Sequence, residues 1–310
     1  MSLNPCAPGR AALHRPSLLR RLVPSAAVLS MATLIAAQAA AAPPAWPPGM
    51  SFVAQEAPGS AWALYRIDER QRPVRIDTEL EPRQACVTPD GQRIVYAAAD
   101  GTLRTRAAGG PEMVLARPDD KRAFTQPCLT SEGRDIVAVE MADGKSIDTE
   151  LLRWRDDRPA TRIAPQPGAQ HDPFLHEGRW LVYASVGCSD GCQQLLVEIW
   201  ARDLVAAQAR QLTLLNALSQ SPVTDGRRVV FSSNASGTFQ LWQVGIDGSA
   251  LRQLTSGPAQ ATQPALCGGT LYFIQSGPRG GSIARWSSDG TVTEQPLPGL
   301  ASVRALRCLS

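Results

Sequence analysis

The chain has 310 residues, with 31 Lys and Arg against 28 Asp and Glu and a formal net charge of +3. Arg10, Arg15, Arg20 and Arg21 are the only Lys, Arg, Asp or Glu side chains in residues 1–42, so the remainder carries one more acid than base. A nearly neutral body has no basic stripe to displace counterions from a phosphate backbone, which excludes nucleic acid as an expected partner, and it offers no field for steering an acidic one.

From the N-terminus, those arginines precede an uncharged, alanine-rich run from Leu22 to Ala42. This is the basic and then apolar pattern of a secretory signal, with small residues for cleavage at Ala37-Gln38-Ala39 or Ala39-Ala40-Ala41. Residues 1–42 are therefore expected to be a cleaved signal peptide that delivers a periplasmic or secreted protein. The alternative is an uncleaved anchor, since the run is long enough to span a bilayer. Residues 43–50, which include Pro43-Pro44-Ala45-Trp46-Pro47-Pro48, read as a stiff lead-in. Residues 51–310 are the size of one large single-core β domain, expected to be monomeric.

Along that domain a polar turn containing glycine repeatedly leads into a short apolar strand. The copies are Asp90-Gly91 before Ile94-Val95-Tyr96, Glu132-Gly133 before Ile136-Val137, Glu177-Gly178 before Leu181-Val182-Tyr183, Asp225-Gly226 before Val229-Val230-Phe231, and Gly268-Gly269 before Leu271-Tyr272-Phe273. Glycines 91, 133, 178, 226 and 269 recur at 42 to 48 residues, the period of four-stranded propeller blades. Complete blades are expected over residues 83–117, 125–164, 171–213, 219–255 and 262–298. The 219–255 unit shows the plan best: strands around Ser221-Pro222-Val223, Val229–Ser232, Gln240–Val244 and Leu251–Thr255 are separated by turns with the positive-φ residues that tight hairpins require.

The two ends complete one another. Residues 52–77 contain Trp62–Asp68, similar to Leu241–Asp247, and an outer strand at Val74-Arg75-Ile76, but no inner strand. Cys308-Leu309-Ser310 resembles Cys86-Val87-Thr88 and Cys128-Leu129-Thr130, so the C-terminus is expected to supply it. The predicted fold is all-β: a six-bladed propeller of four-stranded antiparallel blades, closed by pairing strands from both termini. Closure removes the unpaired sheet edges that invite aggregation.

The stretch Ser221-Pro222-Val223-Thr224-Asp225-Gly226-Arg227-Arg228-Val229-Val230-Phe231-Ser232-Ser233, with Gln240-Leu241-Trp242, Asp247-Gly248 and Arg252-Gln253-Leu254-Thr255, resembles the TolB-type (PD40, WD40-like) propeller repeat. The resemblance implies a periplasmic propeller that binds proteins or small ligands, here without the additional N-terminal α/β domain of TolB itself.

Six cysteines follow the signal segment, in a compartment that favours disulfides. Cys188 and Cys192 flank a three-residue turn and are expected to bridge, contributing less than the roughly 3 kcal/mol of a fifteen-residue loop. Cys86, Cys128, Cys267 and Cys308 are either small buried hydrophobes or, for Cys267 with Cys308, a lock on the terminal strand. The same turn spells Gly187-Cys188-Ser189-Asp190-Gly191, formally a nucleophile elbow. That elbow needs a strand-to-helix turn and a later histidine, and none follows Ser189. His171 and His176 are too few for a histidine-rich metal site, so no metal or other cofactor is expected.

Polar residues stand at the inner-strand entrances: Gln84, Gln126, Gln170 with His171 and Asp172, Gln220 and Gln263. In a closed ring they encircle one channel mouth. They either present donors and acceptors to a ligand or pair with the backbone of adjacent blades. Trp62, Trp154, Trp200, Trp242 and Trp286 fall on third strands, as inter-blade core. The expected function is non-catalytic binding of an envelope protein, peptide or small ligand. The alternative is a polysaccharide lyase or glycosidase with paired carboxylates in the channel, such as Asp172 with Glu177.

Overall fold

A computed structural model describes residues 46–309, apart from 120, 143–147, 157, 166–167, 190–193, 278–279 and 296. The expected signal peptide, residues 43–45 of the lead-in, and Cys192 therefore lie outside the described residues, as does the expected Cys188–Cys192 bridge.

Blade one begins with β1 (Ser51–Gln55), β2 (Ala63–Ile67) and β3 (Pro73–Ile76). Blade two is β4 (Pro82–Val87), β5 (Arg93–Ala98), β6 (Leu103–Ala107) and β7 (Met113–Ala116). Blade three is β8 (Arg122–Leu129), β9 (Asp135–Ala142), β10 (Thr149–Arg155) and β11 (Thr161–Arg162). Blade four is β12 (Gln170–His176), β13 (Trp180–Ser189), β14 (Gln194–Asp203) and β15 (Gln208–Gln211). Blade five is β16 (Ser219–Thr224), β17 (Arg228–Ser233), β18 (Gln240–Gly245) and β19 (Arg252–Gln253). Blade six is β20 (Gln260–Cys267), β21 (Thr270–Gly277), β22 (Gly280–Trp286) and β23 (Val292–Gln295), after which β24 (Ser302–Arg307) completes blade one.

Every blade is an antiparallel meander, and the first has the order β24-β1-β2-β3. Inner strands pack on one another in a closed circuit: β4 on β8, β8 on β12, β12 on β16, β16 on β20, β20 on β24, and β24 on β4. The predicted closure is present with a different register. Arg304 and Arg307 oppose Val53 and Ser51, as Thr125 and Cys128 oppose Val139 and Val137, so Arg307 occupies the place of Cys128. Cys308 lies one residue beyond the strand rather than inside it.

Second strands supply the largest core side chains. Phe52, Tyr96, Tyr183, Phe231 and Phe273 stand at corresponding positions of five blades and are fully buried, with Ala138 in the sixth. Sheets buried on both faces need such bulk between them, which explains the continuous apolar runs. The repeated turn glycine has a packing reason as well as a conformational one. A Cβ on Gly133 (φ +71) would lie 3.0 Å from Thr88 of the preceding blade, and one on Gly226 (φ +80) 3.3 Å from His176 of its preceding blade. Arginines complete these seams: Arg66 donates to the Pro89 carbonyl (2.9 Å), Arg93 to that of Gly133 (2.7 Å) and Arg228 to that of Gly269 (3.3 Å).

The final seam is also covalent. Cys267, ending β20, is bonded to Cys308, just past β24, with Cα atoms 5.4 Å apart. The strand lock is therefore made, and the buried-thiol reading holds only for Cys86 and Cys128. Both are free and buried, at corresponding inner-strand positions, with their sulfurs 3.7 Å apart. Burial pushes the Cys86 thiol well above its ordinary range. The Gly187–Gly191 elbow falls on a hairpin, because Ser189 of β13 pairs with Gln194 of β14.

Candidate functional site

Inner strands do not run straight into the channel. In five of them the ladder slips at one place, and the residue there is left-handed: Gln126, Asp172, Ser221, Gln263 and Ala305 have φ between 50° and 53°. Blade two slips at the neighbouring position, before Gln84. In four blades the next residue is proline, at 127, 173, 222 and 264. A proline has no N–H to leave unpaired inside a bulge, and the bulge turns the preceding side chain away from the sheet. Repeated around the ring, this device directs a polar side chain from five of the six blades toward the channel mouth, the exception being Ala305 of blade one.

Those side chains link into a chain of hydrogen bonds. The Gln84 Oε1 accepts the backbone N–H of Gln126 (2.8 Å) and the Thr125 hydroxyl (2.6 Å). The Gln126 Oε1 accepts the N–H of Asp172 (2.8 Å), while its Nε2 donates to Asp172 Oδ1 (2.6 Å). Asp172 Oδ2 accepts the N–H of Ser221 (2.8 Å), and the Gln263 Oε1 accepts that of Ala305 (2.6 Å). Each side chain thus caps the corresponding N–H of the following blade. Among the described residues two links are not made: the Ser221 side chain is too short to reach Gln263, and Ala305 has no acceptor for Gln84.

Above this ring lies a cavity of about 900 Å³, lined by Gln84, Gln126, Asp172, Gln220 and Gln263 with Trp62, Glu81, Arg83, Arg304 and Arg307 among others. Five of the residues expected at the mouth are therefore brought together. Gln170 and His171 do not contribute to the lining; Gln170 is buried, and its backbone N–H and carbonyl both engage the Thr149 hydroxyl (2.7 and 2.6 Å). Glu177 sits beyond the other end of β12, beside Glu132 and Asp135 of the preceding blade, so it does not face Asp172.

Trp62 packs, half-buried, against a core cluster shared by blades one and two, as expected, and also lines the cavity. Its backbone N–H donates to Glu81 (3.2 Å), and its ring carries the Arg304 guanidinium 3.8 Å from the centroid, at the cavity. Arg83 donates to the Ala99 carbonyl (2.9 Å) and Arg307 to that of Leu306 (3.1 Å). The Nε atoms of Arg304 and Arg307 are buried without a hydrogen-bond partner among the described residues. Burial pushes the Arg304 guanidinium below its ordinary range, opposed by the Glu81 charge and reinforced by Arg83. Sequence reasoning missed Ser221 and the arginines. The repeated polar-Pro dipeptide marks Ser221, but the arginines break the repeat and carry no periodic signal.

The fold and the mouth together define a six-bladed β-propeller with a polar, arginine-bearing cavity at one end of its channel. Among solved structures it is similar to TolB from Acinetobacter baumannii, with a TM-score of 0.63 and 15% identity over 83% of this chain and 65% of that one. It is also similar to a putative TolB from Agrobacterium tumefaciens, with a TM-score of 0.58 and 16% identity over 79% and 87%. An oligogalacturonate lyase in complex with manganese matches with a TM-score of 0.54 and 14% identity over 77% and 73%. The chain thus spans just under two thirds of the Acinetobacter protein's length, and at these identities the likeness is one of fold. No family model and no curated protein matches the sequence.

Proposed function

We propose that this is an exported, non-catalytic propeller that binds a protein, peptide or small ligand of the cell envelope at the channel mouth. One observation carries this reading: the cavity's two carboxylates, Asp172 and Glu81, are each tied to the scaffold. Asp172 spends both oxygens on Gln126 and Ser221, and Glu81 accepts from Trp62. A glycosidase needs a pair of carboxylates poised across a bond, whereas Asp172 is held by the ring through both oxygens and Glu81 by the chain before β2. What the mouth retains is shape and donors, which suit recognition. Export is supported by the N-terminal pattern and by the Cys267–Cys308 bridge, a bond of oxidising compartments.

The test is capture of a partner from a periplasmic extract by the wild type, by Trp62→Ala/Gln220→Ala at the mouth, and by Glu177→Gln at the far end. Loss with the mouth variant alone is expected. Equal capture by all three refutes the site, and release of an unsaturated uronate that disappears in Asp172→Asn establishes the lyase instead.

A further inference from the structure

We infer that the channel mouth recognises a free carboxylate, which it holds with Arg304 and Arg307; this rests on the binding reading above and specifies the ligand's chemistry. The first ground is the direction of the ring's hydrogen bonds. The oxygens of Gln84, Gln126 and Gln263 and both oxygens of Asp172 accept from within the ring. The Nε2 atoms of Gln84 and Gln263 make no hydrogen bond among the described residues. Fixing the amide oxygens inward therefore leaves donors as the free polar atoms of these amides.

The second ground is charge. Three arginines face two carboxylates in the lining, a surplus of one positive charge, and none of the three lies in a salt bridge among the described residues. Arg304 and Arg307 are half-buried, each with its Nε buried and without a hydrogen-bond partner among the described residues; such donors are costly to leave unmet, and an entering anion beside them relieves that cost. The third ground is geometry. The Arg304 guanidinium is held over the Trp62 ring, 3.8 Å from its centroid, at the cavity, and a planar fork matches a planar carboxylate through two parallel hydrogen bonds. A surplus of one charge suits a carboxylate better than a doubly charged phosphate.

Binding is to be measured by calorimetry and by Trp62-sensitive fluorescence, with N-acetylglycine, its neutral amide, a penta-alanine peptide with free carboxyl terminus, that peptide's amide, and inorganic phosphate. Each acid should bind at least tenfold tighter than its amide, a comparison that needs no variant. Arg304→Gln and Arg307→Gln should each weaken the acid by about tenfold to a hundredfold, the range of a charge-assisted hydrogen bond. Tighter binding of the peptide acid than of N-acetylglycine assigns the carboxylate to a polypeptide end, and equal binding assigns it to a small organic acid. The inference is overturned if acid and amide bind alike, if phosphate outcompetes the acids, if no acid binds at millimolar concentration, or if folded Arg304→Gln binds as the wild type does. Partner capture that depends on the mouth but is indifferent to amidation would preserve the binding reading while removing this one.

Discussion

Replacing Cys267 and Cys308 together by alanine tests how the ring is held shut. The bridge joins residues 41 apart, and a closed loop of that size restricts the unfolded chain by about 4 kcal/mol, between the roughly 3 of a fifteen-residue loop and the roughly 5 of a hundred-residue loop. Both cysteines are buried, so the lost sulfur contacts add to this figure. For a domain of this size each kcal/mol moves the melting temperature by roughly 2–4 °C, so the double variant should melt roughly 8–16 °C below the oxidised wild type. The loss should also be local. Ser302–Arg307 is held on one side by β1 and covalently through Cys308 to blade six, and without the bond its amides should exchange hydrogen faster than those of β16. Thermal melts by circular dichroism, with and without dithiothreitol, read the first effect, and exchange mass spectrometry reads the second. A variant melting within about 3 °C of the oxidised wild type refutes the loop argument. So does dithiothreitol that lowers the variant's melting point as far as it lowers the wild type's.

Asp172→Ala leaves Gln126 Nε2 and the Ser221 N–H without their acceptor, at roughly 1–3 kcal/mol each, so the stability read from urea unfolding should fall by roughly 2–6 kcal/mol and by less in Asp172→Asn; an unchanged midpoint removes the ring's structural role. Ser221→Asn places a longer acceptor, in a residue that tolerates positive φ, toward the Gln263 N–H, and should raise stability by about 1 kcal/mol; a lower midpoint would show that the missing link is not one of length. The Arg179 hydrogen bond, with the N–H groups of Val205 and Ala206, holds the Asp203 carboxyl down to about 2. Because the folded-state value lies below the unfolded one, this stabilisation is complete above about pH 4 and disappears as pH falls toward 2. Wild type and Asp203→Asn should therefore differ in melting temperature at pH 6 and converge near pH 2, and a constant gap contradicts the assignment. Alkylation should label Cys86 and Cys128 only after unfolding without reductant, whereas a mass-spectrometric Cys86–Cys128 linkage would contradict the free thiols.

Sequence made the scaffold readable because its requirements repeat. A positive-φ turn glycine packed on the preceding blade recurs at 91, 133, 178 and 226, each time meeting a residue of the blade before it. Apolar second strands recur with it. The ring of polar residues was partly readable: Gln84, Gln126, Asp172 and Gln263 reach the mouth as expected. Gln170 does not, because blade four's bulge falls at Asp172, two residues on, and Gln170 takes the buried position that Ser219 holds in blade five. A similar displacement affects the C-terminus. The cysteines suggested aligning Cys308 with Cys86, whereas pairing with β1 aligns Arg307 there, and a one-residue slip exchanges the sides on which neighbouring side chains lie. Trp62 shows what strand position leaves out: it immediately precedes β2 and packs on the core of blades one and two as expected, but its contact with Arg304 comes from the opposite terminus.

The places where the repeat fails are therefore informative about ligand chemistry. Five blades carry a polar residue at the bulge, but blade one carries Ala305, and the layer below it, which elsewhere holds Cys86, Cys128, Phe174, Val223 and Ala265, holds Arg307. A guanidinium in a layer of apolar and thiol side chains is costly to the scaffold, and the bulge above it has lost the acceptor that would have capped Gln84. Neither change helps the ring close. Both alter the mouth in the same sense, removing an acceptor and adding a donor, next to the arginine fixed on Trp62. Repetition builds the propeller, and the strand that departs most from repetition gives the channel its sign.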